Sequence, residues 1–173
     1  MSKKGPIIIL LLIGVFIGLL GFVLTKGGSR EEKLPTGWEK SRVGRVVDGD
    51  TIELIDGRKL RYLGMNTPET VHPSKPVECF GKEASNKNKE LVSGKEIYLE
   101  RDVEDKDIYN RILRYVYIKS GENNSLVMIN EYLVRNGYAG VYTFPPNVQY
   151  VDRFIAAEKL ARKEGLGLWK ACP

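Results

Sequence analysis

Two short stretches hold the side chains whose types and spacing suit chemistry. In Asp48-Gly49-Asp50-Thr51 two carboxylates stand two residues apart. In an extended chain such residues share a face, so both can approach one cation. Taken alone, the same residues also read as an aspartate-rich turn before a strand. Further on, Arg61-Tyr62-Leu63-Gly64-Met65-Asn66-Thr67-Pro68-Glu69-Thr70 starts like a strand, breaks at Gly64 and ends in a turn. Glu69 is a candidate general base for a water proton. The Asn66 side chain and the Thr67 carbonyl offer oxygens to a hard cation. Arg61 offers a planar fork to an anionic oxygen. The plain alternative is an ordinary Thr-Pro-Glu turn with a solvated strand arginine. A second arginine, Arg111, closes Asp107-Ile108-Tyr109-Asn110-Arg111, beside Tyr109.

Composition narrows the chemistry. His72 is the only histidine, so histidine-based nucleophile activation has little to work with and a histidine metal cluster is excluded. Cys79 and Cys172 are the only cysteines, too few for an all-cysteine zinc site. The base is therefore expected to be a carboxylate, and any metal to be held by oxygen, as Ca²⁺ or Mg²⁺ is. Two arginines, a carboxylate base and an oxygen-bound cation suit phosphodiester hydrolysis. Charge gathers there on the non-bridging oxygens, where guanidinium groups and a divalent ion stabilise it.

These residues need a scaffold to bring them together. Runs at 41–47, 51–55 and 58–63 read as strands, with Asp56-Gly57 as a hairpin turn. Runs at 97–100 and 113–118 are two more, the last rich in Tyr, Val and Ile. Helices are predicted over 81–92, over 125–136 from a capping Ser125 to Gly137, and over 148–164 before Gly165. Strands with helices between and after them predict an α+β domain. The expected layout is of the OB-fold type, a five-stranded β-barrel with three helices.

The chain of 173 residues is longer than this domain needs. Residues 6–25 carry no charge and are almost wholly apolar, and Lys3 and Lys4 precede them. About 20 residues span the hydrocarbon core of a bilayer, and the leading lysines favour a cytoplasmic N-terminus. Residues 1–26 are thus expected to be a single transmembrane helix, with a cleaved signal as the alternative. Residues 27–37 read as a linker, and 38–173 as a domain facing outward from the cell membrane, or secreted if the segment is cleaved. Lys3, Lys4 and Lys26 account for three of the 27 basic residues, so 27–173 holds 24 basic against 22 acidic groups. That balance is too even to argue for nucleic acid by charge alone. In an exported domain Cys79 and Cys172 are expected to pair, with one buried and one free thiol as the alternative. Closing so long a loop stabilises by about 4–5 kcal/mol at best in the chain-entropy model.

The segments VVDGDTIEL, RYLGMNTPET, DIYNRILRYVY, NEYLVRNGYAGV and AEKLARKEGLGLW occur in that order. Together they resemble the thermonuclease, or staphylococcal nuclease-like, family over roughly 37–169. The resemblance implies an OB-fold barrel with three helices that cleaves DNA and RNA using Ca²⁺. It implies cutting at the bond to the 5′ oxygen, leaving 3′-phosphate ends. It casts Asp50 as a direct calcium ligand, Asp48 in or near the outer shell, and Asn66 and the Thr67 carbonyl as further ligands. Glu69 would position or deprotonate the attacking water. Arg61 would hold the scissile phosphate, Arg111 would stabilise the developing charge, and Tyr109 would help hold a neighbouring phosphate. Tyr142 and Phe144 are candidates for stacking on nucleotides, or else pack at the rim. Two positions depart from the family pattern. Asn66 stands where the family prototype has aspartate, which predicts weaker calcium binding. Ile108 stands where it has a phosphate-contacting lysine. The rival reading is an inactive nuclease-like module that binds nucleic acid or protein at the cell surface. Such a module is expected to have lost Asp50, Arg61, Glu69 or Arg111, and all four are present.

Overall fold

The computed structural model describes residues 34–71, 74, 76–121 and 125–172. The expected transmembrane segment, most of the linker and His72 lie outside the described residues. Among the described residues no helix is long and apolar enough to cross a membrane. In chain order the elements are β1 (Trp38–Val46), β2 (Thr51–Leu54), β3 (Lys59–Tyr62), β4 (Met65–Asn66), α1 (Gly81–Val92), β5 (Glu96–Glu100), β6 (Ile112–Lys119), β7 (Leu126–Met128), α2 (Ile129–Arg135), β8 (Gly140–Val141), α3 (Val151–Glu164) and α4 (Leu168–Ala171).

Strands β1, β2 and β3 form an antiparallel meander, and β5 pairs with the other side of β1. β6 lies antiparallel to β5 and parallel to β3, with Leu60, Arg61 and Tyr62 opposite Ile112, Leu113 and Arg114. That parallel pairing closes a five-stranded barrel. The alternation expected of strands with one buried face fills the interior with Ile52, Leu54, Leu60, Ile97, Leu99 and Val116. Apart from buried Arg114, β6 is largely apolar on both faces because its outer side is covered as well. Leu113, Tyr115 and Tyr117 pack there with Phe154 of α3 in a second apolar cluster.

Leu126–Met128, expected inside a helix starting at Ser125, is instead strand β7. It pairs antiparallel with β6, Met128 opposite Tyr117 and Leu126 opposite Lys119. The cause is a tertiary demand. β5 lies along one edge of β6, and on the other edge β3 pairs only as far as Arg114, so the rest of that second edge recruits the next apolar run. The Ser120 N–H bonds to the Ser125 carbonyl at 2.7 Å and folds the hairpin, and the helix starts at Ile129. Beyond the three expected helices there is a fourth, α4, and a small β4–β8 ladder. Cys79 and Cys172 are joined by a disulfide, with their Cα atoms 5.9 Å apart.

Two residues set the course of the chain as it leaves β3. Buried Asn130 accepts the Val116 N–H at 2.8 Å and donates to the Leu63 carbonyl at 2.9 Å, tying the end of β3 to β6. Gly64 then turns with φ of 77°, and a Cβ there would stand 2.1 Å from the Phe154 ring. Gly64→Ala therefore meets both a left-handed backbone and a packed core. We expect it to cost roughly 3 kcal/mol or more in urea unfolding. A loss below about 1 kcal/mol would show that the turn has slack.

Candidate active site

The site begins where β2 begins. The Val47 and Asp48 N–H groups both bond to the Thr51 carbonyl, at 2.9 and 3.2 Å, and fold Asp48-Gly49-Asp50 into a tight turn. Asp48 Oδ1 accepts the Asp50 N–H at 3.1 Å. A Cβ on Gly49 would lie 2.6 Å from the Thr67 side chain, so only glycine lets the turn rest on that residue. Asp50 consequently points inward, and is only 1% exposed. Its Oδ2 accepts the Thr67 N–H at 2.8 Å and the Thr67 hydroxyl at 3.0 Å. Its Oδ1 accepts the Thr51 hydroxyl at 3.1 Å and pairs with the Arg61 guanidinium.

Arg61 sits on β3 directly across from Thr51. Its Nη2 also donates to Asn66 Oδ1 at 2.5 Å, and Asn66 Nδ2 donates to the Thr67 carbonyl at 3.1 Å. Burial, and next the like charge of Arg111, push the Arg61 pKa down to about 10. Burial holds the Asp48 carboxyl above its ordinary range, although the Arg61 charge and hydrogen bonds from Thr51 pull the other way.

Glu69 lies in the turn after Thr67. Its Oε1 accepts the Thr70 and Val71 N–H groups, both at 2.8 Å, which orients the carboxylate. Asp48, Asp50, Arg61, Asn66, Thr67 and Glu69 all border one polar cavity of about 200 Å³, so the structure brings this whole set together. Glu78 borders it too, and nothing in the sequence pattern singled it out.

A second, larger cavity of about 570 Å³ adjoins the first, sharing Arg61 and Asn66. Arg111, Tyr109, Tyr142 and Phe144 line it. Arg111 Nε donates to Asp107 Oδ2 at 2.6 Å, while Asp107 Oδ1 accepts the N–H groups of Tyr109 and Arg111, both at 2.9 Å. Asn110 takes a positive φ of 63° to complete that loop. The Arg111 guanidinium stands 5.5 Å from the Tyr109 ring centre. Tyr142 and Phe144 are 54% and 56% exposed. Ile108 is 91% exposed, an apolar side chain reaching into solvent. Asp107 was a missed partner of Arg111, although its i, i+4 spacing was a usable signal.

Among the described residues no three His, Cys, Asp or Glu side chains are gathered as a metal cage. Even so, two carboxylates, an amide oxygen and a peptide carbonyl around one cavity are the donor types a hard cation takes. In this structure Arg61 and Thr67 bond to Asp50, and Asn66 bonds to the Thr67 carbonyl.

Comparison with known proteins agrees with this architecture. The family model described as staphylococcal nuclease homologue matches residues 59–171. The chain is 34% identical to the thermonuclease of Staphylococcus intermedius and 35% identical to that of Staphylococcus hyicus, in each case over 98% of this chain and 99% of the relative. It is 41% identical to the endonuclease YncB of Bacillus subtilis (strain 168), over 72% of this chain and 59% of that protein. The chain belongs to the staphylococcal nuclease homologue family.

The buried Asp50–Arg61 pair makes the site costly to disturb. In chelator, Arg61→Met leaves Asp50 without its counter-charge and should destabilise by about 3 kcal/mol in urea unfolding. The double variant Arg61→Met/Asp50→Asn should lose less than the single one. A single-variant loss near zero would mean that the pair does not hold the rim.

Proposed function

We propose that the protein is a Ca²⁺-dependent nuclease that hydrolyses phosphodiester bonds of DNA and RNA. The observation that carries this reading is the placing of Arg61, which borders both the carboxylate-lined cavity and the aromatic groove. A phosphate gripped there has oxygen donors on one side and room for bases on the other. The relatives named thermonuclease and endonuclease support the same reading.

Glu69 takes the proton of a water whose oxygen attacks phosphorus. Arg61 binds a non-bridging oxygen through its fork, and Arg111 faces the charge that develops as the bond to the 5′ oxygen breaks. The departing 5′ oxygen takes a proton from solvent water, so the products are a 3′-phosphate and a 5′-hydroxyl end. Asp50, Asn66 and the Thr67 carbonyl would hold Ca²⁺, with Asp48 in or near its outer shell, and the ion supplies Lewis-acid stabilisation of that charge when bound. Tyr109 steadies a neighbouring phosphate, and Tyr142 and Phe144 offer faces for base stacking. A strand that is single or frayed reaches such a groove most easily. Residues 6–25 would anchor this domain in the cell membrane with the site outside.

The reading is tested by cleavage of single-stranded DNA with Ca²⁺, with Mg²⁺ and with chelator. We expect calcium-dependent cutting that Glu69→Gln lowers by about 10²–10⁴-fold, with binding of the DNA retained. A folded protein that binds DNA but never cuts it would leave only the binding-module reading. Calorimetry offers a separate check at the metal. Asn66→Asp restores an anionic oxygen and should tighten Ca²⁺ binding by about tenfold. Unchanged affinity would remove Asn66 from the ligand set.

A further inference from the structure

The Glu69 carboxylate is steered by the two N–H groups that follow it, so its aim depends on the course of its own backbone. Among the described residues, Glu78 clasps that backbone. Glu78 Oε2 accepts the Glu69 N–H at 2.9 Å, and the Glu78 N–H donates to the Glu69 carbonyl at 2.9 Å. Glu69 and Glu78, nine residues apart, are thus joined by two hydrogen bonds. Glu78 is in turn held from its C-terminal side. The Gly81 N–H bonds to the Glu78 carbonyl at 3.0 Å as α1 begins. A Cβ on Gly81 would lie 2.8 Å from Thr70 Cγ2 and 3.1 Å from the Glu69 carbonyl oxygen, so the start of α1 rests against the Glu69 turn. The next residue, Cys79, is bonded to Cys172 at the end of α4. α4 itself is fixed by the Leu168 N–H bonding to the Gly137 carbonyl at 2.8 Å.

We infer that Glu78 is a positioning residue for Glu69: its carboxylate clasps the Glu69 backbone, and the Cys79–Cys172 disulfide keeps Glu78 in place. This rests on the nuclease reading for its effect on rate, while the clasp itself does not. The role needs an acceptor oxygen, not a charge. Glutamine therefore serves at this position and alanine does not. A second general base at Glu78 would need the carboxylate.

The test compares Glu78→Ala and Glu78→Gln in the full chain. Steady-state cleavage of single-stranded DNA with Ca²⁺ is measured beside the hydrogen exchange of the Glu69 amide. Glu78→Ala should lower kcat by about tenfold or more with KM unchanged, and speed Glu69 amide exchange by about tenfold. Glu78→Gln should stay within roughly threefold of the parent in both. Thermal melting controls for general loss of structure. A Glu78→Gln protein as slow as Glu78→Ala would overturn the inference in favour of a role for the charge. A Glu78→Ala protein with parental kcat and parental amide exchange would overturn it outright. Should the parent itself not cut DNA, the nuclease reading fails. The amide exchange then decides alone, since parental exchange in Glu78→Ala would still refute the clasp.

Discussion

A carboxylate as enclosed as that of Asp50 survives in a barrel wall only if every oxygen finds a partner. Here the partners come from separate pieces of chain. Thr51 belongs to β2, Arg61 to β3, and Thr67 to the turn beyond Gly64. One acid thus fixes how the turn before β2, the strand β3 and the segment carrying Glu69 lie against one another. The Gly49 contact with Thr67 shows how close that approach is. The same acid is the strongest candidate to hold a cation, so the group that organises the rim is also the one the proposed chemistry calls upon.

The barrel supplies what this arrangement cannot supply for itself. β3 is held on both sides, antiparallel to β2 and parallel to β6. The parallel pairing puts Arg61 opposite Leu113, two residues past Arg111, so the two arginines reach a common groove from different parts of the chain. Asn130 and Phe154, from α2 and α3, then dictate where the chain turns after Leu63. Packing far from the cavity thereby sets the aim of Asn66 and Glu69.

Much of the site was legible because its parts lie close in sequence. Asp48, Asp50, Arg61, Asn66, Thr67 and Glu69 span one hairpin and the turn after it, and Asp-Gly and Gly-x-x-x-Pro punctuation marks both. The link from Arg61 to Arg111 was not legible from local pattern, because a parallel strand pair leaves no trace in either strand alone. Residues 126–128 look helical in sequence for a related reason. A short apolar run before a helix carries no clear period, and the open edge of β6 decided its state. Glu78 stayed hidden because its role is to accept from a backbone N–H, which any chain position could need. The pairing of Cys79 with Cys172 followed only from the expected compartment.

The proposed function requires Asp50 to serve both Arg61, as in this structure, and a bound cation. The most direct test is a Ca²⁺ titration that follows the Arg61 Nε–H signal by NMR, beside calorimetry of the same titration. The Arg61 signal is expected to shift along the calorimetric binding curve, and Asp50→Ala to abolish both. Calcium binding that leaves the Arg61 signal unmoved, or that persists in Asp50→Ala, would contradict it.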